Sequence, residues 1–118
     1  MKFTITIPEK ISLNKIYAGI HFRERMQHKE QYQWAVHTSK IDRYEGLYPV
    51  HIKYHFKLTG SRLDIDNHVY MTKMVADALV ACGVIPGDEQ EYIGAITITA
   101  EKLRKGEVNV VEMELSPL

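Results

Sequence analysis

Tyr48, Val50, Ile52, Tyr54, Phe56 and Leu58 alternate with Pro49, His51, Lys53, His55 and Lys57. Side chains of an extended chain point to opposite faces in turn. The pattern therefore predicts a strand with one face on a core and the other toward solvent or a ligand. Thr59, Gly60 and Ser61 end it. A shorter alternation opens the chain, with Phe3, Ile5 and Ile7 opposite Lys2, Thr4 and Thr6, and it too predicts a strand. Pro8 to Gly19 reads as a polar loop carrying Asn14, Lys15 and Tyr17. From about Arg23 to Lys40 there is no Pro or Gly, and Tyr32, Ala35, Val36 and Ser39 share one stripe of an amphipathic helix. A second helix places Met71, Val75, Ala78, Leu79 and Cys82 on its buried stripe. Asp66 or Asn67 is its expected cap and Gly83 its stop. After the Pro86–Gly87–Asp88 turn come two β-rich stretches, about Tyr92 to Lys102 and Val108 to Leu115. The polar link Arg104–Lys105–Gly106–Glu107 predicts that they form a hairpin. The order β-α-β-α-β-β predicts an α+β fold, with helices packed on a mostly antiparallel sheet.

Length and composition narrow the classes. The 118 residues, 45% hydrophobic and 25% charged, fit one globular domain over 1–118 and not a disordered chain. No apolar run is long enough to cross a bilayer, and the alternating N-terminus is unlike a signal peptide, so no membrane partner is expected. The single cysteine, Cys82, allows no internal disulfide, and a cytoplasmic location is the plain expectation. Fifteen basic and fifteen acidic residues cancel, which argues against a strongly electrostatic nucleic-acid binder. The charge is unevenly placed, however: residues 1–84 hold 12 Lys/Arg against 8 Asp/Glu, and 85–118 hold 3 against 7. That imbalance keeps DNA in play as a partner.

The sharpest chemical feature is Asp64-Ile65-Asp66-Asn67, at a junction leading into the second helix. Residues two apart in extended backbone face the same side, so Asp64 and Asp66 can converge. Adjacent carboxylates repel unless a cation sits between them, and oxygen-only ligation suits Mg²⁺ or Mn²⁺. Asp88, in the turn beyond the helix, is a candidate third ligand. Such a cluster fits metal-assisted phosphodiester hydrolysis. The plainer alternative is that Asp64 and Asp66 cap the helix and Asp88 is an ordinary turn residue. Asp66, Tyr70, Lys73 and Asp77 share a helix face opposite the buried stripe. Lys73 there can stabilise phosphate charge, or it can simply pair with Asp77 on a solvated face.

These residues resemble a known family. The segment LDIDNHVYMTKMVADALVACGVIPGDEQEYI is similar to the RusA family of Holliday-junction resolvases, in which an Asp-x-Asp-Asn precedes a lysine, an Asp-Ala-Leu-like segment and a further acid. SLNKIYAGIHFRERMQHKEQY resembles the N-terminal segment of the same family, so the likeness covers nearly the whole chain in order. It implies a homodimeric α+β endonuclease that binds four-way DNA junctions and nicks two opposed strands with Mg²⁺. Metal-binding aspartates would fall at Asp64, Asp66 and Asp88, and a catalytic lysine at Lys73. No small-molecule cofactor is implied. Between the Asp-x-Asp-Asn and the lysine this chain has three more residues than the best-known member, nearly one helical turn.

Expected phosphate contacts are Lys15, Arg23, Arg25, Lys29 and Arg62, with Lys53 and Lys57 on the polar face of the central strand. The competing reading makes these solvated surface charges. His51 and His55 lack further ligands for zinc, Cys82 reads as packing, and Trp34 as core or dimer surface. Two rivals to a junction resolvase stay open: a non-catalytic DNA-binding or assembly module on the same fold, and a nuclease for other branched DNA.

Overall fold

In a computed structural model describing residues 1–118, the chain forms four strands and three α-helices. Strand β1 spans Lys2–Thr6, helix α1 Leu13–Tyr17, helix α2 Phe22–Thr38 and strand β2 Val50–Leu58. A 3-10 turn over Ile65–His68 leads into helix α3, Val69–Ala81, followed by strands β3, Ile93–Lys102, and β4, Val110–Pro117. The fold is α+β, as the element order predicts.

β2 forms where the alternation is strongest. Val50, Ile52, Tyr54, Phe56 and Leu58 are buried and face the helices, while Lys53 is exposed on the other face. The strand begins at Val50 because Pro49 has no N–H to give the ladder. On α2 the predicted stripe is buried at Tyr32 and Val36, but Ser39, at the helix end, is exposed. On α3 Met71, Val75, Ala78 and Leu79 are buried, and each large apolar side chain so covered contributes about 1.5–3 kcal/mol. These residues join β2, β4 and Ile5 in one core cluster of 22 residues.

Two expectations fail. The polar loop Pro8–Gly19 contains α1, whose start is capped by the Ser12 side chain accepting from the Lys15 N–H at 3.3 Å. The hairpin between the last two strands does not form. The sheet order is β1-β4-β2-β3, so β2 lies between β3 and β4. β2 pairs with β3 in parallel and with β4 antiparallel, and β1 pairs with β4 antiparallel. The sheet is therefore mixed: two of its three pairings are antiparallel, in keeping with a mostly antiparallel sheet, and one is parallel. The reason is α3: a helix between two strands carries the chain back to the starting end, which places β3 parallel beside β2. β4 then takes the free edge of β2, and residues 103–109 arch over the end of β2 instead of turning tightly. That arch is tied down where Leu103 N–H donates to Leu58 O at 2.8 Å and Thr59 N–H to Asn109 Oδ1 at 2.8 Å.

No helix is long and apolar enough to cross a membrane.

Candidate active site

The acid motif lies where the chain leaves β2 and enters α3. Asp64 occupies the position preceding the 3-10 turn, with extended backbone at φ −61° and ψ 152°, and makes no side-chain cap bond. Its carbonyl instead accepts from the Asn67 N–H at 3.0 Å. Helical winding thus begins before Asp66 and Asn67, and neither is the cap expected from the sequence. Asp64 and Asp66 are both exposed at the start of this winding, where free N–H groups favour negative charge.

Two buried neighbours hold this turn: Asn67, a candidate cap by its residue type, and His68, which the sequence pattern does not single out. Asn67 turns its Oδ1 toward α1 and accepts the Asn14 N–H at 3.1 Å. His68, 2% exposed, packs its ring 5.0 Å from that of Phe56 and places Nδ1 3.0 Å from Asp64 O and 3.1 Å from Ile65 O. A carbonyl only accepts, so Nδ1 carries the proton and donates to both. His68 was legible in one respect: it stands four residues after Asp64, one helical turn away. Asn67→Ala leaves the Asn14 N–H without its acceptor, and we expect a loss of about 1 kcal/mol in urea unfolding, with α1 loosened from the acidic turn.

Along α3 the exposed flank continues through Lys73 and Asp77. Lys73 Nζ lies 3.0 Å from Asp77 Oδ1 and 3.1 Å from Asp88 Oδ2. The hydrogen bond to Asp77, then that to Asp88, holds its ammonium above the ordinary lysine range. Lys29 of α2 approaches Asp77 at 4.0 Å. Asp88 returns to this flank because Val84 and Ile85, both buried, anchor the chain after α3, and Val84 N–H donates to Leu79 O at 2.9 Å. Gly87 completes the turn: a Cβ there would overlap the Glu89 carboxylate and meet the Tyr92 ring at 2.9 Å.

One turn beyond Asp66, Tyr70 is buried, and burial first of all pushes its phenol up. Its hydroxyl lies 3.0 Å from His28 Nδ1, and His28 Nε2 lies 3.0 Å from Glu9. His28 is 2% exposed, so this trio knits α2 and α3 to the segment after β1.

The structure thus brings Asp88 to Lys73 and seats Asp64 and Asp66 on one turn. It does not gather all three aspartates. No group of three His, Cys, Asp or Glu side chains is placed to hold a metal ion. Carboxylate oxygens are the right donors for Mg²⁺ or Mn²⁺, but this arrangement is not a complete shell for either.

The expected phosphate contacts are spread over three surfaces. Lys15 pairs with Glu24 at 3.1 Å, and Arg23 and Arg25 lie exposed at the start of α2. Lys53 and Lys57 lie on the open sheet face, where Lys53 approaches Glu114 at 3.9 Å and Lys57 approaches Glu112 at 3.2 Å. Arg62 stands exposed in the loop before the acid motif. His51 and His55 bond across the sheet to Thr97 and Thr99. Trp34 is 67% exposed and therefore no part of the core. Cys82 is half-buried, with Sγ 3.7 Å from Gln33 O. No protein-family model matches the chain, and no curated protein matches it.

Proposed function

We propose that this chain is a divalent-cation-dependent endonuclease for branched DNA, with four-way junctions as its first substrate. Asp64, Asp66 and Asp88 would supply carboxylates for Mg²⁺ (or Mn²⁺), and Lys73 the positive charge beside the scissile phosphate. Support comes from the order of residues described above and from one placement. The Lys73–Asp88 bond of 3.1 Å sets the third acid against the helix flank that begins at Asp66. Paired cuts in opposed strands need two active sites, so the working form is a homodimer.

A second reading has its own observation in favour. Lys73 engages Asp88, and no three-ligand group exists as the side chains stand, which suits a DNA-binding module without catalysis.

The deciding experiment incubates purified protein with labelled junction and with linear duplex, in Mg²⁺ or in EDTA. Junction-selective nicks that vanish in EDTA are expected. Nicking at no divalent concentration, together with retained junction binding, selects the second reading.

A further inference from the structure

Six of the chain's fifteen Lys and Arg side chains meet a carboxylate: Lys2, Lys15, Lys29, Lys53, Lys57 and Lys73. Of the remaining nine, five stand together at one end of the sheet. Lys10, Arg62 and Lys102 line a groove of about 510 Å³ whose floor includes Leu58, Leu63 and Ile65. Arg62 and Lys102 also line an adjoining cleft with Arg104 and Lys105, on the arch that crosses the end of β2. The two clefts share a wall and form one basic track.

Such a gathering of like charge is unfavourable without an anion, and no carboxylate forms an ion pair with any of these five. Glu101 is the sole acid lining either cleft, and its carboxylate is taken by His55 Nε2 at 3.1 Å and Lys57 at 3.6 Å. Glu107, on the arch, turns its Oε2 to the Arg104 N–H at 2.7 Å. Lys10 is held in place by donating to the carbonyls of Thr59, at 3.0 Å, and Ser61. Its ammonium is pushed down, first by burial and then by the charge of Lys102, which lines the same groove.

Leu63 and Ile65, both lining the groove, flank Asp64 in sequence. The backbone of the acid motif therefore borders the track. We propose that it binds the phosphate backbone of DNA and leads a strand to Asp64, an inference that rests on the nuclease reading for the identity of the polymer. Several cations strung along two joined clefts match a chain with one charge per nucleotide better than a single small anion. The apolar floor suits sugars and base edges between the phosphates.

The test compares wild type with the triple variant Lys102→Gln/Arg104→Gln/Lys105→Gln, whose side chains are all exposed. Lys10 is left alone because it holds the loop. Binding to a fluorescent four-way junction and to linear duplex is followed in EDTA over a salt series, after thermal melts have matched the variants. The triple variant should bind about tenfold or more weakly, with a log–log salt slope shallower by about 2–3. Arg62→Gln alone should lower the slope by about 1. The control Lys40→Asn/Arg43→Gln, which removes two cations elsewhere, should stay within about twofold of wild type. An unchanged slope in both groove variants overturns the track and leaves the nuclease reading standing. Groove-dependent binding by a wild type that nicks nothing in Mg²⁺ or Mn²⁺ upholds the track and overturns the nuclease. A wild type that binds no DNA overturns both.

Discussion

Asp66→Asn is expected to abolish nicking of four-way junctions while leaving junction binding intact or tighter. The two side chains are nearly identical in shape, and Asp66 is exposed, so packing is undisturbed. The turn that carries it is secured by other groups, Asn67 to Asn14 and His68 to the Asp64 carbonyl. What changes is one negative charge. A carboxylate that binds a cation gains from that charge, whereas a carboxylate beside a bound phosphate without a cation only repels it. Loss of an outer-shell partner of a metal costs 10–100-fold, so loss of a direct ligand should exceed about 100-fold in cleavage rate. Denaturing gels in Mg²⁺ measure the rate, and gel shifts in EDTA measure binding. Cleavage at the wild-type rate by this variant would remove Asp66 from the chemistry and the proposed endonuclease with it.

Phe56→Ala should cause the largest loss of stability of any single truncation discussed, about 3–5 kcal/mol and a melting temperature lower by roughly 10–20 °C. Phe56 is fully buried in β2, beside Val111 of β4 and Ala100 of β3. Its ring stacks on Tyr54 at 6.2 Å and meets His68 at 5.0 Å. A strand hydrogen-bonded on both edges cannot collapse into the space left behind, so the cavity term is retained in full. The same truncation frees the ring of His68, which fixes the Asp64 carbonyl. Activity measured well below the melting transition should therefore fall too, whereas a truncation on the far side of the core, such as Leu115→Ala, should lower stability without that effect. Urea midpoints and junction assays at low temperature separate the two contributions.

Local pattern carried much of this fold. The alternation through β2 and the stripes at Tyr32–Val36 and Met71–Leu79 are set by burial of one face, and burial is written residue by residue. Strand adjacency is not written that way. Arg104–Lys105–Gly106–Glu107 has the polarity of a hairpin link, yet the partner of β3 is chosen by the helix that precedes it. The basic track is hidden in the same way, because a hairpin link would carry Arg104 and Lys105 away from Arg62, whereas the arch sets all three in one cleft. At the acid motif the Lys73–Asp77 pair was legible from its spacing of four, while the Lys73–Asp88 bond depends on where Val84 and Ile85 anchor the chain. Asn67 read as a cap because caps favour that residue type, but its side chain serves a contact with Asn14, 53 residues away.

The place of β4 has a consequence for synthesis on the ribosome. β1 has no hydrogen-bonded neighbour but β4, and β4 also covers one edge of β2. While Val110–Pro117 are still inside the exit tunnel, Lys2–Thr6 have nothing to zip onto and β2 exposes a bare edge to other nascent chains. The sheet closes only when β4 slots between two strands made long before it, so the hazard of aggregation lasts until β4 is free to pair.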